Sequence, residues 1–429
     1  MKTRKTVKSI CILLLLAGGA AAGGAEESLR TDINPAMLYY QAFLVAPEPM
    51  SQADDEYLGT KEGRRWKLPE RYGKIAAGYD DQFKLVRQAA HSTAPCDWGL
   101  DMSAGPATLL PHLARVKAVA QAARVRVRWE LQQGRQAEAR DDLLAALALA
   151  RNVSHGGLLI STLVQGAAEA ILCSVVAENF GQFSPETLKE LAEGFDAAPA
   201  RGTVAGCIPL EKTLCLDFLV REIQKIEKAN AGDDAKVMAV LHDGLFKGLL
   251  EPEQDANAAA TSGKPGQTNS WERFAQAAGG TSQGVIKLIL DLEAMDQKLG
   301  ALMSLPYADF ENQMKAFRVE IQESPNPLVP LMVPQWERAH RREFRIQVYL
   351  AMMRAAVEYK LHGDSGFLSV ADPCGQGPFG IRRFVLQGVD RGFQLTSALD
   401  AKDSKSFIFV EKDGPPFRVS GPFVGQAIE

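Results

Sequence analysis

The sequence predicts a mainly α fold. It reads as antiparallel helical hairpins, in a bundle or an irregular solenoid, followed by a long C-terminal helix and a small antiparallel β tail. Three observations carry that expectation. Apolar residues recur at three- and four-residue spacing through most of residues 34–361. Capping and stop residues punctuate the pattern where helices should begin and end. After Gly363 the chain changes to short runs bounded by Gly, Asp and Pro, which is strand-and-turn chemistry.

The elements follow in order. Lys2, Arg4, Lys5 and Lys8 precede an apolar run from Ile10 to Ala17 and a stretch of Ala and Gly to Ala25. That pattern reads as a cleavable signal peptide over residues 1–25, too short in its apolar part for a mature membrane span. The chain is therefore expected to be exported, periplasmic or extracellular, with no transmembrane anchor after cleavage. A helical domain is expected over 26–250. Asn34-Pro35 is a cap and first-turn pair that opens its first helix. A helix from about Lys74 to His91 follows, and then an ordered loop over Thr93–Pro106.

Residues 107–132 carry Leu110, Leu113, Val116, Ala120, Val127 and Leu131 at helical spacing, and Gly134 stops the run. A partner helix through Ala139, Leu143, Ala146, Leu147 and Leu149 completes a hairpin. These small and large packing positions resemble one tetratricopeptide unit. The pattern does not recur some 34 residues later, so an ordinary antiparallel hairpin is the reading kept. Gly157 to Phe180 is the most apolar helix, but Gln165 and Glu169 lie four apart near its middle. Placing both in lipid would be costly, and the segment reads as the central helix of a soluble domain.

Ser184-Pro185-Glu186 starts another helix. Helices at about Leu210–Ala229 and Asp234–Leu250 follow. Residues 251–284 are rich in Ala, Gly, Ser, Thr, Asn and Gln and read as a linker, with a helical nucleus near Trp271–Ala278. A helical segment spans 285–363: Val285–Leu302, Tyr307–Glu323, and a long helix beginning after Pro334 with Ile346, Leu350, Met353, Val357 and Leu361 in one stripe. The tail, 364–429, is β-rich, with strands at Ile381–Leu386, Gly392–Ser397, Ser406–Val410 and Phe417–Val419.

Charge narrows the function. Loss of the four basic leader residues moves the formal charge from −4 to −8. An acidic exported chain has no general attraction for nucleic acid, so no nucleic-acid partner is expected. Five cysteines remain after the leader: Cys96, Cys173, Cys207, Cys215 and Cys374. On one continuous helix Cys207 and Cys215 would stand about 12 Å apart, too far for a disulfide. They pair only if Cys207 lies in a loop folded back beside Pro209.

The tail carries a family resemblance. Ala355–Gly363, then Asp372-Pro373 with Gly375 and Pro378, then Gly392-Phe393-Gln394-Leu395 is similar to the C-terminal region of the major pseudopilins, where a long helix leads into a small sheet. The whole chain looks most like uncharacterised exported helical bacterial proteins. The pseudopilin resemblance implies a last loop able to hold calcium, and Asp400 and Asp403 fall there. Two carboxylates are short of the six to eight oxygens calcium takes, and a solvated turn is the preferred reading.

Other constellations are weak. Gly363-Asp364-Ser365-Gly366 and Ala89-Ala90-His91 resemble segments of trypsin-like proteases, but a helix end and a turn joined by helices do not make two β-barrels. Glu337-x-x-His340 is half of a di-iron helix signature without its other half. With Arg338, Arg341, Arg342 and Arg345 beside it, it reads as a solvated, salt-bridged face. Asp97-Trp98-Gly99 reads as a loop anchor, and Lys264 lacks the glycine spacing of a phosphate loop. Glu169 is the sole candidate catalytic acid, with pairing to an arginine as the commoner outcome for a buried carboxylate. No cofactor is indicated. The expected function is non-enzymatic: a protein-interaction or scaffold protein of the cell envelope, with a protein partner. The alternatives are a carboxylate-dependent hydrolase and an accessory component of a pseudopilus-like secretion system.

Overall fold

The computed structural model describes residues 32–59, 66–230, 233–250, 270–399, 406–414, 418–419 and 427–428 of the 429. The expected signal peptide, most of the expected linker, Lys264, Asp400 and Asp403 lie outside these residues. The fold is mainly α with a small antiparallel sheet near the C-terminus.

Asn34 opens α1 (Pro35–Leu44) by accepting from the Ala36 amide at 3.0 Å. Its side chain also exchanges hydrogen bonds with the backbone of Asp97, so one residue both caps a helix and fixes the loop over it. Two short helices, α2 (Gln52–Gly59) and α3 (Arg71–Gly78), lead to α4 (Asp80–Ala90). The single helix expected at 74–91 is thus two. Gly78 ends the first, and Tyr79 turns the chain with φ −92° and ψ 3°.

The central hairpin is α5 (His112–Gln132) and α6 (Gln136–Val153), turned at Gly134 with φ 75°. The helix α7 (Leu159–Glu178) packs against both. A cap at Ser184, accepting from the Thr187 amide at 3.1 Å, starts α8 (Pro185–Ala197). The next stretch departs from expectation. It is α9 (Val204–Glu211), a widened π turn (Lys212–Asp217) and α10 (Phe218–Ala229). Pro209 lies inside α9 and removes an amide donor from the ladder, which favours the widened register after it. A second such turn separates α11 (Asp234–Leu241) from α12 (Lys247–Leu250).

Beyond the undescribed stretch come α13 (Ser270–Ala277), α14 (Ser282–Met303), α15 (Tyr307–Glu323) and α16 (Val329–Leu368). The last begins before Pro334, not after it. Pro330 occupies the first turn, where its missing amide has no helical partner to lose. Near the expected end, α16 kinks at Gly363, φ 64° and ψ −149°, and its final turns reach Leu368.

Strands β1 (Gly380–Leu386), β2 (Val389–Thr396) and β3 (Phe407–Val410) form the sheet in the order β1-β2-β3. Gln387 and Gly388, both at positive φ, make the tight turn between the first two. A second pair, β4 (Arg418–Val419) and β5 (Ala427–Ile428), is antiparallel.

By length and composition α7 could cross a membrane. Here most of it is packed against α5, α6, α9, α16 and β3, with Ile160 and Ala167 exposed. The sheet joins the same core. Phe393 and Phe409 meet Phe180 edge-on, Phe407 stacks on Tyr349 and Phe393 meets Tyr359, with ring centroids 5.1–5.7 Å apart. Its other face, Phe384, Leu386, Ile408 and Val410, is covered by Trp66. The approach is closest at Gly181, where a β-carbon would stand 2.1 Å from the Glu411 carbonyl oxygen. The substitution Gly181→Ala is therefore expected to push β3 off the helices and cost about 1–3 kcal/mol. Urea unfolding with hydrogen exchange read at β2 and β3 tests this; an unchanged midpoint would show that the sheet does not depend on that contact.

Candidate functional site

The polar face of α7 is buried inside the helical stack. Gln165 and Glu169 are both fully buried. Arg201, from the segment between α8 and α9, grips Glu169: its Nε lies 3.0 Å from each carboxylate oxygen and its Nη2 2.9 Å from Oε2. Arg151 of α6 donates from Nε to Oε1 at 3.2 Å and sends Nη1 to the carbonyls of Phe195, Ala198 and Pro199. Gln165 completes the set, donating to Glu169 at 3.4 Å and accepting from the Gly202 amide at 2.9 Å. One carboxylate thereby ties α6, α7, the end of α8 and the 198–203 segment. Burial pulls the Arg201 pKa down, but the charge and hydrogen bonds of Glu169, with Glu343 nearby, raise it above the ordinary value. Arg201 stays a cation.

Beside this network opens a cleft of about 480 Å³. Its floor is α7, where Leu163, Gly166, Ala167, Ala170 and Ile171 line it. Small side chains at 166, 167 and 170 leave the space. At Gly166 an added β-carbon would come within 3.3 Å of Ile346, so glycine also sets how closely α16 crosses. The opposite wall is α16, through Ala339, Ile346 and Tyr349. Lys117 and Gln121 of α5 stand on another side.

The charged lining is one-sided. Among the described residues Lys117, Arg201, Arg342 and Arg345 line the cleft, against the single carboxylate of Glu343. Lys117 and Arg342 are exposed and have no ion pair among the described residues. Glu343 is buried and engaged: it accepts from the Val204 amide at 3.2 and 3.3 Å, at the N-terminus of α9, and from His340 Nδ1 at 2.8 Å. In a chain of net negative charge, this is a local concentration of cations over an apolar floor. Low-dielectric walls sharpen such a field.

Glu169, the expected acid, does not line the cleft; its partner Arg201 does. The Glu337–His340 face is corrected. Glu337 is bound by Arg318 and Arg341, while His340 and Glu343 are buried, not solvated. The signal was present, since Glu343 continues the Ile346–Leu350–Met353 stripe one helical step towards the N-terminus. Arg342 and Arg345 were read only as part of a charged face. That they and Lys117 converge is set by the crossing of α5 and α16 over α7, which spacing within one helix does not encode.

Trp98 donates from Nε1 to the Asn152 carbonyl at 3.1 Å and stacks on His112 and Tyr39, the loop anchor expected. His91 caps the exposed end of α4, and Ser365 donates to the His362 carbonyl beyond the kink of α16. All five described cysteines are free. Cys207 sits on α9 and not in a folded-back loop, so it does not pair with Cys215. Burial pushes the thiols of Cys207 and Cys215 up to about 11 and those of Cys96 and Cys374 up to about 12. None of these is a thiolate nucleophile at neutral pH. Among the described residues no group of three or more His, Cys, Asp or Glu is arranged to hold a metal ion. Comparison with protein-family models, with curated proteins and with solved structures found no match.

Glu169→Gln would leave the buried Arg151 and the half-buried Arg201 without their counter-charge, an expected loss of about 3 kcal/mol in chemical denaturation. A loss under about 1 kcal/mol would mean that solvent reaches the pair. Burial pushes the Asp296 carboxyl up to about 6, Lys212 opposing and Glu293 adding to the rise. Above that pH the folded chain holds a penalised charge. As pH falls from about 6 towards 4, the folded carboxyl protonates before the unfolded one does, and native stability rises. Asp296→Asn is expected to stabilise by about 1 kcal/mol near pH 8, after discounting for partial solvent access, with the gain vanishing below about pH 4. Thermal unfolding across that range reads it; a gain independent of pH would remove the assignment.

Proposed function

We propose that this chain is an exported, non-enzymatic binding protein of the cell envelope, and that its recognition site is the basic cleft over α7. The observation that carries this reading is the state of the polar groups at the cleft. Four are cations, and the one carboxylate already accepts from an amide and a histidine. Thr162 also lines the cleft, but its hydroxyl is 3.2 Å from the protonated Cys207 thiol, and among the described residues no base hydrogen-bonds to it. Binding needs an apolar floor and a few placed polar groups; catalysis would need an acid, base or nucleophile free to act.

The hydrolase alternative rests on Glu169, and that carboxylate is held by two guanidinium groups behind the cleft wall. The pseudopilus alternative is best served by a sheet standing apart on its long helix. Here Phe393, Phe407 and Phe409 share the main core, which favours the first reading.

The test is a photo-crosslinking residue in place of Ala167, an exposed position on the cleft floor, in the producing cell. A reproducible adduct, protein or small molecule, that is lost when the cleft is blocked by Leu163→Trp supports a binding site. Turnover of ester, amide or glycoside substrates that disappears in Glu169→Gln, with the variant still folded, would replace it with the hydrolase.

A further inference from the structure

We infer that the ligand of this cleft is a single-chain amphiphile with an anionic head; this rests on the binding reading above. The two halves of the site call for the two halves of such a molecule. The floor of α7 offers Gly166 and Ala170 as a shallow apolar trough, closed by Ile346 and Tyr349 of α16, all buried. A volume of about 480 Å³ falls in the range of sites that enclose a small organic molecule. An apolar chain lying there removes hydrocarbon surface from water on both partners.

The rim selects the head. Lys117 and Arg342 are exposed cations with no ion pair among the described residues. Arg201 commits Nε and Nη2 to Glu169, and no hydrogen bond holds its Nη1 among the described residues. A guanidinium edge of this kind is suited to a carboxylate or phosphate oxygen. Gln121, on the same rim, has a buried amide oxygen without a hydrogen-bond partner. Turning that amide over presents N–H in the same place. A cationic head would meet a repulsive field, and a neutral head could accept hydrogen bonds here but would leave the cations without a counter-charge.

Gln121 also lines a second depression of about 390 Å³ on the other side of α5, with Pro47, Met50 and Tyr79 on its walls. Gln52, Asp55, Gln82 and Arg115 line it as well, so this second depression is of mixed polarity.

The experiment uses the exported chain, freed of co-purifying lipid, with hexadecanoate, hexadecyl phosphate and hexadecanol as probes, read by calorimetry and native mass spectrometry. Expected are one-to-one binding of at least one anionic probe, at least tenfold tighter than hexadecanol, and competition between the anionic probes. Preference between them identifies the source as a free carboxylate or a phosphate-headed lipid. Arg342→Glu with Lys117→Glu should weaken anionic binding tenfold or more while leaving hexadecanol unchanged. Ala167→Trp should abolish all binding. All three positions are exposed, so folding should survive, and circular dichroism checks it. Equal affinity for hexadecanol, or indifference to Ala167→Trp, overturns the proposal. If no probe binds while the Ala167 crosslink still captures a protein, the ligand class is wrong and the binding reading stands.

Discussion

The buried carboxylate of Glu169 is the constraint on which the arrangement of the helical stack depends. A charge at the centre of an apolar helix is tolerable only if opposite charges and donors meet it there. That requirement is met from two directions at once. Arg151 arrives from α6 and Arg201 from the segment after α8. Because Arg151 also holds the carbonyls at the end of α8, the path of the chain from 195 to 202 is fixed by the same ion. The ion pair and the Gly202 amide, bonded to Ser154 and Gln165, select the course of that irregular segment over α7.

The cleft is a consequence of that selection. Arg201 is held with one edge on Glu169, and Glu343 beyond it anchors the start of α9 on α16. Charges alternate from Arg151 through Glu169 and Arg201 to Glu343. The line enters the core at one end and reaches the cleft at the other. Small residues on α7 keep α16 from filling the gap. A rigid, pre-positioned cation over an apolar trough costs a ligand little ordering on arrival, which is the usual source of affinity at a preformed site.

The legibility of this structure in its sequence follows how local each determinant is. Caps such as Asn34 and Ser184 act within four residues, and both helices they open begin where the sequence places them. The boundaries of Tyr307–Glu323 also coincide with expectation, although no side-chain cap opens that helix and Pro306 stands just before it. Prolines misled in opposite ways. Pro334 reads as a start, yet α16 absorbs it one turn inside, and Pro209 precedes the helix expected from Leu210 but lies within α9. Whether a proline ends a helix depends on which carbonyl loses its donor and what packs nearby, and that is tertiary information. Of the site, Gln165 and Glu169 were visible as a polar pair on an apolar helix. The identity of their arginines, and the gathering of Lys117, Arg342 and Arg345, were not, because they lie on elements far apart in sequence.

A buried ion pair of this kind is weak evidence of selection for stability, since apolar side chains of similar volume often serve a core equally well. The position of Arg201 argues for another role. An apolar replacement of the Glu169–Arg201 pair would keep α7 packed but would strip the cleft of a cation whose direction is fixed. Lys117 and Arg342, being exposed and unpaired among the described residues, supply charge without fixed geometry. Charge alone attracts an anion; an oriented guanidinium edge decides how its head sits. The internal network therefore supports the wall of the cleft as well as the core: Glu169 of α7 holds the Arg201 that lines it.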